Sequence, residues 1–309
     1  MSLPTCGCAA GHKCGLLEGA ALARIIARRF GRPCEPPMTD SPIRSAIAKA
    51  KQERGIALMP FLAAGFPDLE TTTATIRSLS AAGATLLEIG FPFSDPIADG
   101  PTIQAAFTEA LAKKTKVADV FAAARAARDA TSQHVPLVAM LSYSVVFRYG
   151  LKRFIDDARS SGFAGLILPD LPPPEAQAVT QMIQAGGLDT TLLVAPTTTP
   201  QRRAEIARLC SGFVYYLSVS GITGERDTLP ADLERNVCEL KSMAREVPVC
   251  VGFGIHRPQQ VAQLVGVADG AIVGTAMVRR MKDHAGEGPQ AVASAAGDYC
   301  RELLSNLAK

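Results

Sequence analysis

Three carboxylates lie close together in the segment LLEIGFPFSDPIADGPTIQ, residues 86–104. Glu88 stands in an apolar run, where an ionised carboxylate is costly to desolvate unless it is paired, protonated or used in chemistry. Burial raises the pKa of a carboxyl group toward neutrality, which suits a group that must both donate and accept a proton. Glu88 is therefore a candidate general acid and base. The alternative is a buried glutamate in an ion pair with a lysine or arginine of the core.

Asp95 and Asp99 belong to the loop that follows this run. Aspartate before proline or glycine is an ordinary turn residue, so either one alone is consistent with a purely structural role. The prolines indicate that the loop is held in shape, and its apolar residues Phe91, Phe93 and Ile97 indicate that it covers a ligand or contacts a partner.

The elements that must position these carboxylates alternate along the chain. Apolar runs typical of buried strands are each followed by a segment with helical periodicity, and the runs are IALMPFLAAG, TLLEIG, PLVAMLS, GLILPD, TTLLVAP, FVYYLS, PVCVGFG and GAIVGTAMV. Repeated βα units predict an α/β protein whose parallel sheet is covered by helices. Eight units favour a closed (βα)8 barrel (TIM barrel) over an open doubly wound sheet. Active sites of such barrels lie at the C-terminal ends of the strands, so Glu88 and Asp99 should face the same mouth.

Glycine-rich segments end the last three predicted strands: SVSGITGERD, GFGIH and GAIVGTAMV. Glycine lets backbone N–H groups approach an anion closely, and a helix N-terminus adds a favourable dipole. We therefore expect a phosphate group to bind there. The chain contains neither a GxGxxG dinucleotide motif nor a Walker A loop.

Composition excludes several other classes of protein. The net charge of +3 is too small to indicate a nucleic-acid surface. No apolar stretch reaches the ~18 residues that span a bilayer. The eight cysteines are scattered through a chain long enough to bury a core without disulfides, so we expect reduced thiols in a cytoplasmic protein.

The first residues differ in character from the rest. Residues 1–38 are rich in cysteine, glycine and proline around a basic stretch, and we expect this extension to be disordered or to reflect an upstream start, although a targeting peptide is possible. Residues 39–309 should form the catalytic barrel. Four potential soft ligands lie in the extension, but their spacing is not that of a standard zinc framework, so we expect no metal site: Cys6, Cys8, His12 and Cys14.

The segment from residue 86 to 104 closely resembles the signature of the tryptophan synthase alpha chain family, and the resemblance extends from about residue 40 to the end. MPFLAAGFPD, LILPDLP, YYLSVSGITG, GFGIHRPQQV and DGAIVGTAMV resemble other parts of the family pattern. The resemblance implies a lyase that cleaves indole-3-glycerol phosphate to indole and glyceraldehyde 3-phosphate. It also implies that Glu88 is the catalytic proton shuttle and that Asp99 accepts a hydrogen bond from the indole N–H.

The same resemblance implies roles for further residues. Phe61 and Tyr215 match residues that line the indole pocket, and Asp170 matches an aspartate that holds a mobile loop through the threonine at Thr223. The residues that match the phosphate site are Thr223, Gly224, Gly254, Gly274 and Thr275. One departure is MLSYSVVF, where Ser142, Tyr143 and Ser144 replace a segment that usually contains asparagine.

The resemblance implies a partner as well, a tryptophan synthase beta chain in an α2β2 heterotetramer. The alpha chain itself should need no cofactor, and pyridoxal phosphate is expected only in the beta chain. Two alternatives remain: a stand-alone lyase that releases indole without a partner, and a non-catalytic activator of a beta chain. The second would have no need of a costly buried acid at Glu88.

Overall fold

The computed structural model describes residues 41–96, 99–130, 134–218, 229–252 and 254–307. The predictions for residues 1–38, with Cys6, Cys8, His12 and Cys14, lie outside this part of the chain, and so do Thr223 and Gly224. Among the described residues, no helix is long and apolar enough to cross a membrane.

The described residues contain nine strands, which form one sheet in the order β5-β4-β3-β2-β1-β9-β8-β7-β6, and every pair of neighbouring strands is parallel. The strands are β1 Ala57–Ala63, β2 Leu87–Gly90, β3 Leu137–Met140, β4 Phe163–Ile167, β5 Asp189–Thr191, β6 Leu193–Val194, β7 Val214–Leu217, β8 Val249–Gly252 and β9 Gly270–Val273. The predicted (βα)8 barrel is confirmed.

One predicted strand is divided in two. The run TTLLVAP forms β5, which pairs only with β4, and β6, which pairs only with β7, and Leu192 separates them. The Leu192 carbonyl still accepts a hydrogen bond of 3.1 Å from the backbone N–H of Tyr215. The two ends of the sheet are therefore consecutive pieces of one strand, and the sheet closes there.

Helices follow the strands as the periodicity predicts. In the described part of the chain the α-helices are Pro42–Arg54, Leu69–Ala81, Pro101–Ala112, Val117–Asp129, Tyr143–Tyr149, Leu151–Ser160, Pro173–Ala185, Pro200–Leu209, Leu233–Ala244, Pro258–Gln263, Thr275–Asp283 and Pro289–Leu304, with a 3-10 turn at Ala285–Glu287. Helix Pro42–Arg54 begins and ends as the sequence predicts. The Ser41 hydroxyl caps its N-terminus by accepting a hydrogen bond from the N–H of Arg44, and Pro42 is the first helical residue. Gly55 ends the helix in a left-handed conformation, with φ of 84°.

The barrel has an inner and an outer apolar layer. The outer layer packs the helices on the sheet. The inner cluster fills the barrel and includes Ile43 and Ile47 from helix Pro42–Arg54, together with Phe213, Tyr215 and Cys250 from the strands or the residues beside them. This first described helix therefore contributes to the barrel interior.

A buried ionic cluster joins the same helix to the N-terminal end of the strands. Asp269 is 5% exposed, and its Oδ2 accepts a hydrogen bond of 2.8 Å from the N–H of Val249. Lys51 forms an ion pair with Oδ1, and the Lys241 ammonium lies 3.2 Å from the same oxygen. Burial by itself would raise the pKa of Asp269, but the hydrogen bonds from Lys51 and Val249 and the two lysine charges hold that pKa below its ordinary value.

Candidate active site

Glu88 lies in the middle of the barrel wall. It belongs to β2, and its Cα is in register with Phe61 of β1 and Val138 of β3. Its side chain is 0% exposed, and neither carboxylate oxygen has a hydrogen-bond partner among the described residues. Burial alone raises the pKa of Glu88 well above its ordinary value. The alternative of a buried ion pair therefore finds no partner in the described part of the chain, and burial favours the protonated form of the group.

Asp99 lies on the loop between β2 and helix Pro101–Ala112. Its N–H donates a hydrogen bond of 3.0 Å to the carbonyl of Pro96, and its carbonyl accepts one of 2.7 Å from the side-chain amide of Gln104. These two bonds fix the backbone of the loop beside the carboxylate. Burial raises the pKa of Asp99 to about 6, so the group changes charge close to neutral pH.

A cavity of about 120 Å³ opens at the C-terminal ends of the strands. Its walls are mostly apolar and carry three carboxylates, and the lining residues are Phe61, Phe91, Phe93, Asp95, Pro96, Asp99, Phe107, Met140, Leu141, Ser142, Pro169, Asp170, Leu193 and Leu217. Phe61 meets Phe107 edge to face, with ring centroids 6.5 Å apart. A mostly apolar, aromatic-lined cavity with carboxylates in its wall suits an aromatic ligand that carries a polar N–H.

Tyr215 lies behind this wall with Glu88. The ring is 4% exposed, and its hydroxyl fills the space above Gly252, where a Cβ would lie 2.4 Å from the Tyr215 oxygen. Burial, and secondarily the charges of Glu88 and Asp99, raise the pKa of Tyr215 well above its ordinary value. The three groups are therefore within electrostatic range of each other, although only Asp99 lines the cavity itself.

The predicted phosphate residues that the structure describes lie beyond the last two strands. Gly254 follows β8 with φ of 86°, a backbone conformation that favours glycine, and Gly274 follows β9 and precedes helix Thr275–Asp283. A Cβ at Gly274 would meet nothing closer than 3.9 Å, the Cβ of Phe61. Gly254, Gly274 and Thr275 are not among the residues that line the cavity, although Gly274 lies beside Phe61, which is.

The model of the family described as "Tryptophan synthase alpha chain" matches residues 47–306. The chain belongs to the tryptophan synthase alpha chain family.

Individual alpha chains and a solved tryptophan synthase structure are similar to this chain over most of its length. The alpha chain of Rhodopirellula baltica (strain DSM 10527 / NCIMB 13988 / SH1) is 43% identical over 271 residues, which cover 85% of this chain and 97% of that protein. The alpha chain of Prochlorococcus marinus (strain MIT 9313) is 46% identical over 266 residues, which cover 86% of this chain and 94% of that protein. A solved structure of Mycobacterium tuberculosis tryptophan synthase superposes with a TM-score of 0.76 at 33% identity, covering 85% of this chain and 99% of that one.

Membership of this family defines the reaction. The chain is a carbon–carbon lyase of L-tryptophan biosynthesis, and it cleaves indole-3-glycerol phosphate to indole and glyceraldehyde 3-phosphate. In this member of the tryptophan synthase alpha chain family, Phe61, Asp99 and Asp170 line one cavity, and Glu88 and Tyr215 are buried residues that are not part of its lining.

Asp170 has partners that the sequence did not predict. Its Oδ1 accepts a hydrogen bond of 2.7 Å from the backbone N–H of Tyr143, and its Oδ2 accepts from the Ser142 hydroxyl. The predicted contact with Thr223 falls outside the described residues. Asp170 therefore lines the cavity while tied to the loop after β3.

Several cavity residues were not identified from the sequence. Phe107 was missed because it belongs to a helix whose apolar face is otherwise ordinary core, and its contact with Phe61 depends on the packing of that helix on β1. Met140, Leu193 and Leu217 were missed because they read as core. The usable signal was their place at the C-terminal half of a strand, which faces the mouth of such a barrel.

Proposed function

We propose that Glu88 performs both proton transfers of the cleavage. The bond to be broken joins C3 of the indole ring to the glycerol phosphate chain, and C3 must first be protonated so that the ring can leave as neutral indole. Protonated Glu88 donates that proton and becomes a carboxylate. As the carbon–carbon bond breaks, the carboxylate accepts the proton of the adjacent hydroxyl, which becomes the aldehyde. The acid is thereby regenerated, and the reaction is balanced without a cofactor.

The observation that carries this proposal is the state of Glu88 before the reaction. A carboxyl that is fully buried and without a hydrogen-bond partner among the described residues is held protonated, which is the form the first step requires. The ionised form created by that step is poorly solvated, so it readily takes the second proton. An acid with an ordinary pKa would be ionised at neutral pH and could not begin the cycle.

Asp99 is proposed to accept a hydrogen bond from the indole N–H. Protonation at C3 places positive charge on the ring nitrogen, and a carboxylate fixed nearby stabilises that charge in the transition state. The position of Asp99 in the wall of an aromatic-lined cavity supports this role. Its pKa of about 6 leaves it mostly ionised above neutral pH, as the role requires.

The phosphate is proposed to be held by backbone amides rather than by a lysine or arginine. Among the described residues, none of those that line the cavity is basic. Gly254 and Gly274, at the C-terminal ends of the last two strands, and the N-terminus of helix Thr275–Asp283 supply amides that an anion can approach. Thr275 would add a hydroxyl and Gly224 a further amide. Asp170 would order the loop that contains Thr223.

Replacing Glu88 by glutamine tests the central role. The amide has the shape of the acid but cannot shuttle protons, so cleavage of indole-3-glycerol phosphate should fall by about 10²–10⁴-fold. Glu109→Gln is the matched control, because Glu109 is an exposed glutamate paired with Lys113 on the helix that follows the loop. Activity of Glu88→Gln within tenfold of the wild type would contradict the assignment.

We propose a beta chain as the partner, in an α2β2 heterotetramer whose pyridoxal phosphate belongs to the beta chain. Indole is small and apolar, so passing it directly to a second active site prevents its loss. Support comes from apolar residues: Phe93 and Pro96, on the loop after β2, line the cavity, and Phe147, on helix Tyr143–Tyr149, is 72% exposed and has its ring 6.1 Å from that of Tyr143. A cytoplasmic location is also proposed, since the substrate carries a charged phosphate; cell fractionation with immunoblotting tests it.

Size-exclusion chromatography of the chain mixed with a cognate beta chain, with lyase assays on the same fractions, tests the partnership. We expect a weakly active monomer alone and at least tenfold higher activity in the complex, about 1.4 kcal/mol of barrier. No co-elution, or full activity alone, would favour a stand-alone lyase. Co-elution with no lyase activity would favour a non-catalytic activator.

A further inference from the structure

We infer that Ser142 is a positioning residue of the lyase site, and that it acts by holding the carboxylate of Asp170 in the cavity wall. The inference rests on the proposed role of Asp170 in the same site. Ser142 follows β3 and precedes helix Tyr143–Tyr149, and Asp170 follows β4, so the two lie on neighbouring loops at the mouth of the barrel. Both side chains line the cavity.

The hydrogen bonds around Ser142 have a defined direction. The Ser142 oxygen accepts from the N–H of Ser144 at 3.2 Å and lies 2.7 Å from the Ser144 hydroxyl. The Ser142 hydroxyl donates to Oδ2 of Asp170, so its single proton is committed to that bond. The Ser144 hydroxyl is then the donor to Ser142. The chain of bonds runs from Ser144 through Ser142 to Asp170.

This arrangement fixes both oxygens of Asp170. The backbone N–H of Tyr143 holds Oδ1 at 2.7 Å, and the Ser142 hydroxyl holds Oδ2. Two donors on adjacent residues clamp the carboxylate plane, whereas one donor would leave it free to rotate. Each oxygen keeps a further lone pair for a donor on the cavity side. Asp170 is exposed, so its orientation depends on these two bonds and not on close packing.

Ser142 also caps the helix that follows, so the test must separate capping from positioning. Ser142→Gly removes the hydroxyl but costs the helix only a few tenths of a kcal/mol, because glycine is tolerated at an N-cap. Ser142→Thr keeps a hydroxyl at the same place. Ser160→Ala is the matched control, because Ser160 is an exposed serine on helix Leu151–Ser160 whose hydroxyl donates to the carbonyl of Asp157 on the same helix.

We expect Ser142→Ala and Ser142→Gly each to lower kcat/KM for indole-3-glycerol phosphate by about three- to tenfold, the size of a lost hydrogen bond to a partly exposed carboxylate. Ser142→Thr should restore it, and Ser160→Ala should change it less than twofold. In an Asp170→Ala background the substitution Ser142→Gly should cost nothing more, because its effect passes through Asp170. Thermal midpoints of all variants are measured in parallel, using the full-length chain.

The possible failures are distinguishable. If Asp170→Ala is impaired while Ser142→Gly retains wild-type kcat/KM, or if the two losses add, Ser142 does not act through Asp170 and the inference is overturned, while the proposed role of Asp170 stands. If Asp170→Ala is itself fully active, the proposed role of Asp170 fails and the inference fails with it. A loss in Ser142→Ala that is absent from Ser142→Gly assigns Ser142 to helix capping alone and also overturns the inference.

Discussion

Replacing Glu88 by methionine should make the protein more stable and inactive. Methionine is similar in volume and brings no polar atom into a site where the glutamate oxygens have no partner among the described residues. A buried polar group left unsatisfied costs about 1–3 kcal/mol, so the free energy of unfolding should rise by about that amount. In a domain of about 150–250 residues, each kcal/mol added to the free energy of unfolding raises the thermal midpoint by about 2–4 °C.

The stability that Glu88→Met gains over the wild type should increase as pH rises. Burial raises the pKa of Glu88, so above about pH 4.5 the unfolded chain releases a proton that the folded chain keeps. The folded state then binds more protons, and the stability of the wild type relative to the methionine variant falls as pH rises. The slope approaches about 1.4 kcal/mol per pH unit while the folded carboxyl stays protonated. At acidic pH this contribution disappears, and only the desolvation cost remains.

Thermal unfolding of the wild type, Glu88→Gln and Glu88→Met at pH 5 and pH 8 separates the two effects. The wild type compared with the glutamine variant isolates proton release, because the amide cannot ionise. The glutamine variant compared with the methionine variant isolates the cost of burying an unpartnered polar group. Equal midpoints of wild type and methionine variant at both pH values would show that Glu88 is satisfied in the folded protein, and the reasoning about a protonated resting acid would be refuted.

Three further substitutions test other parts of the site and fold. Asp99→Asn should lower kcat strongly, and the fall of wild-type kcat/KM as pH drops through about 6 should vanish in the variant; an unchanged acid limb would assign it to another group. Gly274→Ala should raise KM while leaving the thermal midpoint nearly unchanged, since the nearest atom lies 3.9 Å from the new Cβ; an unchanged KM would place the phosphate elsewhere. Asp269→Asn should lower the free energy of unfolding by about 1–3 kcal/mol, since it weakens a buried ionic cluster. The wild type should lose that advantage on acidification, because stability from an aspartate with a lowered pKa is lost as pH falls, and a midpoint difference independent of pH would argue against the ion pairs.

The sequence was sufficient for the architecture because local signals and topology agreed. Each apolar run except TTLLVAP, which is divided in two, became a single strand, and Ser41 with Pro42 and Gly55 bounded the first described helix as their conformational preferences dictate. Glu88 could be singled out because a charged residue inside an apolar run conflicts with its surroundings, and such conflicts concentrate at functional sites.

Features that depend on contacts between distant segments could not be read in this way. The break at Leu192 is set by which neighbouring strand each half pairs with, and no residue type in TTLLVAP marks it. The bonds from Ser142 and Tyr143 to Asp170 join residues about thirty positions apart. A serine after a strand reads only as a helix cap, which Ser142 also is.

The division of the fifth strand at Leu192 has a consequence for how the barrel opens. Each half pairs with one neighbour only, so its residues are held by a strand on one side, whereas β1 to β4 and β7 to β9 each pair with strands on both sides. Regions with fewer backbone hydrogen bonds open at lower free energy than the rest of a domain. Amide hydrogen exchange should therefore be faster in residues 189–194 than in β1 or β8, which are paired on both sides. Opening at this seam would separate the barrel into a unit of β1 to β5 and a unit of β6 to β9, still joined through β1 and β9.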